Sequence, residues 1–130
     1  MTEQELVQMA LDMRQNSYAP YSDFRVGAAL ECEDGTVYGG CNVENAAYGS
    51  SICAERTALV KAVSEGKRRF VRLAVAGDST DYCWPCGACR QMLREFGVEL
   101  QILVANRDGA YEVHSLAQLL PHSFGADTLE

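Results

Sequence analysis

The chain has 130 residues, 48% of them hydrophobic and 22% charged, with a net charge of −7. That is the balance of one globular domain over residues 1–130, and it lacks the run of about 18 apolar residues that a membrane span needs. The acidic sign disfavours a polyanionic partner. Lys67-Arg68-Arg69 is the one basic cluster and reads as a solvated helix exit, so neither nucleic acid nor membrane is expected as a partner. Met1-Thr2-Glu3-Gln4-Glu5 has no basic n-region, which argues against a secretory signal and predicts a cytoplasmic protein. Its six cysteines are then expected as reduced thiols rather than a disulfide framework.

Thr2 and Glu5 form a capping box. Leu6, Met9, Ala10 and Met13 follow at helical spacing, which predicts a first helix to about Gln15. Asn16 to Asp23 is a loop punctuated by Pro20. From Phe24 the period becomes two, with Phe24, Val26, Ala28, Leu30 and Cys32 on one face of a strand. Glu33-Asp34-Gly35 turns the chain, and Thr36 to Cys41 returns as the partner strand. Asn42 to Ile52 is polar and irregular.

Cys53 to Glu65 reads as a helix ended by Gly66, with the small apolar face Ala54, Ala58, Leu59 and Ala62. Phe70 to Gly77 is an apolar run broken by Arg72, as in a buried strand. A second irregular segment, Asp78 to Pro85, leads into a short helix from Gly87 to Phe96. Glu99 to Ala105 is another buried strand, Arg107-Asp108-Gly109 a turn and Tyr111 to His114 a last strand. Ser115 and Gln118 make a second capping box, and Pro121 stops the helix it opens. A hairpin followed by alternating helices and strands predicts an α/β fold, a mixed sheet of about five strands with helices on both faces.

Cys53-Ala54-Glu55-Arg56 and Pro85-Cys86-Gly87-Ala88-Cys89 carry the chemistry. Cys86 and Cys89, i and i+3 on a first helical turn, can reach one ion. Cys53 opens the other helix, and two helix N-termini favour thiolates. Three sulfur donors leave one position of a zinc tetrahedron open, the mark of a catalytic rather than a structural site. Glu55 lies two residues from the first ligand, where a carboxylate can move protons. Three thiolates outweigh one Zn²⁺ by a single negative charge, and Arg56, i+3 from Cys53, can offset it. Asn42 and Glu44, i and i+2 at a strand end, point to one side and can grip a hydroxyl. A rival reading has Cys83 completing a closed, non-catalytic four-cysteine site. Cys32 and Cys41 are expected as small core residues.

The cysteine–carboxylate pattern is similar to the zinc nucleobase-deaminase signature, with a cysteine in place of its histidine. Together with Tyr18-Ala19-Pro20-Tyr21-Ser22, Phe24-Arg25-Val26-Gly27-Ala28-Ala29, Gly40-Cys41-Asn42-Val43-Glu44-Asn45-Ala46 and Cys86-Gly87-Ala88-Cys89-Arg90-Gln91, it resembles the short, homotetrameric cytidine deaminases over essentially the whole chain. The resemblance implies a three-layer α-β-α fold and a hydrolase acting on a cyclic amidine. It implies conversion of cytidine and deoxycytidine to uridine and deoxyuridine plus ammonia, in pyrimidine salvage, with one zinc per subunit. On that resemblance Cys53, Cys86 and Cys89 are the zinc ligands and Glu55 the proton shuttle, while Asn42 and Glu44 hold the ribose. Phe24 flanks the pyrimidine, and Ala46 and Ala54 touch substrate. Tyr48 lines the pocket or a subunit contact, and Phe124 enters a neighbouring subunit's site in a homotetramer with shared sites. A related aminopyrimidine nucleoside is the alternative substrate.

Overall fold

The computed structural model describes residues 1–129. Five strands form one sheet in the order β2-β1-β3-β4-β5: β1 Val26–Cys32, β2 Val37–Cys41, β3 Phe70–Gly77, β4 Gln101–Ala105 and β5 Tyr111–Ser115. The helices are α1 Glu3–Met13, α2 Ala54–Ser64, α3 Gly87–Arg94 and α4 Leu116–Leu119.

Both capping boxes form as the sequence predicts. Thr2 Oγ1 accepts from the Glu5 amide at 3.1 Å while Thr2 N donates to Glu5 Oε1 at 3.0 Å. Ser115 and Gln118 repeat the exchange at the start of α4. The hairpin turn places Gly35 at a φ of 90°, a left-handed backbone that a side chain would strain.

β1 pairs antiparallel with β2 and also with β3, and β3 pairs parallel with β4. The crossover through α2 therefore carries the chain over β1 rather than to an adjacent strand, so β2 and β3 run in one direction with β1 between them. β5 closes the far edge antiparallel to β4. One face of the sheet is covered by α1 through Leu6, Val7, Ala10 and Leu11, packed on Ala29, Ala74, Ala76, Leu103 and Ala105. The other face is covered by α2, α3 and α4, where Leu59, Leu93 and Leu116 pack on Leu30, Leu73, Val75, Ile102 and Val104. β3 from Leu73 to Gly77 is buried on both faces, which explains its unbroken apolar run.

The first helix ends at Met13 and passes into a 3-10 turn over Arg14–Asn16, short of the expected Gln15, and three further boundaries differ from the periodicity for identifiable reasons. β1 starts at Val26, not Phe24, because the backbone there is bonded by side chains instead of a ladder: Phe24 O accepts from Asn42 Nδ2 at 2.8 Å and Arg25 N donates to Asp78 Oδ2 at 2.9 Å. β4 starts at Gln101, because Leu100 O accepts from Leu116 N at 2.8 Å and so serves the start of α4. α3 stops at Arg94, where the Phe96 and Gly97 amides make three-residue bonds and Gly97 takes a φ of 122°.

Gly40 sets how close α2 lies. A Cβ there would sit 2.5 Å from Ala54 O and 2.6 Å from Ala58 N, so only glycine lets the first turn of α2 rest on β2. That contact fixes the position of Cys53. Cys32 and Cys41 are buried free thiols, as expected of small core residues.

Candidate functional site

β2 and β3 run parallel and finish at the same end of the sheet, and the irregular segments after them feed the N-termini of α2 and α3. The crevice outside the carboxyl ends of parallel strands is where open α/β sheets place ligands. Cys53 is the N-cap of α2 and Cys86 the N-cap of α3, with Cys89 three residues further on. The two helix starts converge so that all three Sγ atoms lie within 4.8 Å of one another. Cys53 and Cys86 are 3.8 Å apart and Cys86 and Cys89 3.3 Å.

A tetrahedral zinc with Zn–S bonds of about 2.3 Å requires sulfurs about 3.8 Å apart. The trio fits that ion, and a fourth direction is left without a sulfur. Cys83 is not part of the cluster. Its Sγ packs toward Gly77 beside Phe24, and burial pushes its thiol up to about 12, the state of a neutral apolar group. The closed four-cysteine reading therefore finds no geometric support.

The sulfurs share their protons unequally. Cys53 falls to about 5, first because Cys89 donates to it and then because Arg56 and Cys86 do. Cys89 is pushed up by the same bond and by burial. Arg56 Nη2 lies 3.5 Å from Cys53 Sγ and 3.3 Å from Ser51 O, so its guanidinium reaches the cluster as its i+3 spacing predicts. Its Nε is buried with no protein partner.

Glu55 is 4% exposed, and burial raises its carboxyl to about 7. It lines a cavity of about 390 Å³ together with Cys53, Ala54, Cys86, Phe24, Asn42 and Glu44. Acid, sulfur cluster, aromatic wall and polar side chains therefore meet in one space, as the motifs predict. Two surface hollows elsewhere are larger, and neither is lined by any of the three clustered sulfurs.

Asn42 and Glu44 have a structural duty that periodicity did not show. Asn42 Oδ1 accepts from Val26 N at 2.9 Å while its Nδ2 donates to Phe24 O. Glu44 accepts from the amides of Tyr21 at 3.0 Å and Ser22 at 3.1 Å, and from the Ser22 hydroxyl. These bonds hold the 21–26 segment, so both residues place Phe24 as well as face the cavity. Gly77 completes that placement. A Cβ there would lie 2.8 Å from the Phe24 ring, so Gly77→Val is expected to push the ring into the cavity and raise KM at least tenfold with zinc content unchanged, measured by steady-state kinetics and metal analysis.

Ala46, Tyr48 and Phe124 do not line the cavity of their own chain. Tyr48 is 74% exposed and meets Tyr21 edge-on at 5.7 Å over a neighbouring hollow. Phe124 is 61% exposed, its carbonyl held by Gln91 Nε2 at 3.1 Å. Ser22, Val26, Ser51, Ile52, Cys83 and Trp84 also line the cavity, roles that the sequence reading did not assign. For Cys83 and Trp84, adjacency to Pro85-Cys86 was the available signal.

Residues 1–105 match the family model described as the cytidine and deoxycytidylate deaminase zinc-binding region. The chain belongs to that deaminase family. A cytidine deaminase of Sporosarcina psychrophila is 46% identical over 99% of this chain and 96% of its own. One of Halalkalibacterium halodurans is 44% identical over 99% and 98% respectively. The crystal structure of a cytidine deaminase from Burkholderia pseudomallei superposes with a TM-score of 0.92 at 47% identity, covering 95% of this chain and all of that one. The three-layer α-β-α fold with its mixed five-stranded sheet is that of these deaminase structures. Zinc is the cofactor of the family region, and the cluster of Cys53, Cys86 and Cys89 falls inside the matched residues.

Proposed function

We propose that the chain catalyses hydrolytic deamination of free cytidine and deoxycytidine to uridine and deoxyuridine, releasing ammonia. The observation that carries this reading is Glu55: a buried carboxyl with a raised pKa, in the same 390 Å³ cavity as a three-sulfur cluster with an open side. A structural zinc knot has no use for such a group. The relatives named above are called cytidine deaminases, which supports the substrate class.

In the proposed roles Cys53, Cys86 and Cys89 hold one zinc per subunit. The bound ion supplies Lewis acidity that makes water nucleophilic at neutral pH. Glu55 accepts a proton from the attacking water and passes it to the pyrimidine ring nitrogen. Glu55 then takes the proton of the hydroxyl newly attached to the ring carbon and delivers it to the amine; the carbon–nitrogen bond breaks, and ammonia leaves as that hydroxyl becomes the carbonyl. A carboxyl poised near neutrality both accepts and returns protons with small driving-force losses. Phe24 and Ala54 flank the base, and Asn42 and Glu44 meet the ribose hydroxyls with the hydrogen-bonding capacity their braces leave free. Arg56 offsets the excess negative charge of the thiolates.

We further infer a cytoplasmic enzyme of pyrimidine salvage, formed by a single domain over residues 1–130, whose sites are shared in a homotetramer. The exposure of Phe124, Tyr48 and Ala46 outside their own cavity supports contributions between subunits. No described helix is long and apolar enough to cross a membrane. Mixing purified protein with cytidine is expected to lower absorbance near the cytidine maximum, and a chelator to abolish the change. Persistence of full activity after complete zinc removal would overturn the reading.

A further inference from the structure

Trp84 lies on the wall of the cavity two residues before Cys86, and nothing above gives it a part in the reaction. It is the chain's one tryptophan, and it is 45% exposed. A large indole left this open on a cavity wall keeps apolar surface available to a ligand.

Its flanking backbone is nevertheless held on both sides. Before it, Cys83 N donates to Ala105 O at 3.1 Å. After it, Pro85 is fully buried and its carbonyl accepts from Arg90 Nε at 2.7 Å. The residue before a proline is confined to extended backbone, which removes further freedom. The indole itself rests on the His114 ring of β5, with centroids 5.1 Å apart and planes at 51°. His114 is in turn bonded to Glu112 Oε1 at 3.2 Å. A side chain pinned at both flanks and supported from β5 loses little entropy when a ligand arrives.

The lining of the cavity combines the polar Ser22, Asn42 and Glu44 with Cys53, Glu55 and Cys86. Trp84 joins this lining two residues before Cys86. Phe24 and Trp84 are the two aromatic side chains of that lining.

We infer that Trp84 is a substrate-binding residue that recognises the pyrimidine base by aromatic contact, so that it governs affinity for the base and not the proton transfers. The inference rests on the nucleoside reading of the cavity. Its test uses zinc-loaded Glu55→Gln protein, which binds nucleoside without consuming it, titrated with cytidine in parallel by calorimetry and by fluorescence of the one tryptophan. Saturable heat with a fluorescence change at the same midpoint is expected. In otherwise unaltered enzyme, Trp84→Leu should raise KM about tenfold with kcat within about twofold, the scale of one lost base–aromatic contact. Trp84→Phe should recover most of that affinity. Heat without a fluorescence change, or a Trp84→Leu KM equal to that of the unaltered enzyme, overturns the role of Trp84 while leaving the nucleoside reading intact. Absence of heat with cytidine overturns the nucleoside reading and this inference with it.

Discussion

Glu55→Gln is expected to keep one zinc per chain and to lose turnover by about a thousandfold or more. The amide has nearly the shape of the carboxyl, so the packing around a side chain 4% exposed is preserved. The sulfur cluster is built by two helix N-caps and does not use the Glu55 carboxylate as a donor. What disappears is a group that can take a proton and return it, and such groups contribute about 10²–10⁴-fold each. Glu55 acts more than once in the proposed cycle, which places the loss toward the upper end. Steady-state rates and metal analysis on the same preparation check the result. Retained turnover in a zinc-loaded Gln variant would remove Glu55 from the mechanism.

The pH dependence follows from the same side chain. Burial, with the Cys53 thiolate beside it, holds the Glu55 carboxyl at about 7 against an ordinary value of 4.5. Zinc on three thiolates still leaves a net negative cluster, so the ion does not reverse that push. The group must be ionised to accept the first proton. Activity should therefore be present above its pKa and fall as pH drops through it. The acid limb of kcat/KM is expected above the ordinary carboxylate range and no higher than about 7, and an acid limb at or below 4.5 would contradict the burial argument.

How much of this was legible in the chain follows from which physics is local. Capping boxes, the Asp34-Gly35 turn and the apolar run of β3 depend on near neighbours, and they appear where periodicity places them. The three-sulfur cluster was legible because N-cap and first-turn positions fix side-chain direction independently of the tertiary fold. The positioning roles of Asn42 and Glu44 were not, because their partners at Val26, Phe24, Tyr21 and Ser22 lie 16 to 23 residues away and are brought close only by the hairpin. The start of β1 moved for the same reason: alternation continues through Phe24, but the bonds that end the ladder come from Asn42 and Asp78. Cavity walls such as Ile52 and Trp84 carry no pattern of their own, since what exposes them is the meeting of two irregular segments. The insertion of β3 beside β1 instead of β2 is likewise a choice among topologies that share one pattern of elements.

Cys89→Ala is expected to abolish zinc binding, activity and much of the protein's resistance to denaturant together. Cys89 is fully buried at N3 of α3, and its amide is bonded to Cys86 Sγ at 3.4 Å. Removing it leaves two donors where an open-sided site needs three. The remaining thiols at the two helix starts then lose the ion that joins α2 to α3. Because zinc binds the folded chain through a preformed cluster, its binding free energy adds to folding stability, and added zinc should raise the melting temperature of the unaltered protein. The Cys89→Ala variant should melt several degrees lower and show no response to zinc. Cys83→Ala supplies the contrast, since its thiol stands outside the cluster and is held neutral by burial. That variant should keep one zinc per chain and lose about 1 kcal/mol through the small cavity it leaves. Loss of zinc from Cys83→Ala comparable to that from Cys89→Ala would mean that a fourth sulfur closes the site, and a closed site leaves no place for water beside Glu55.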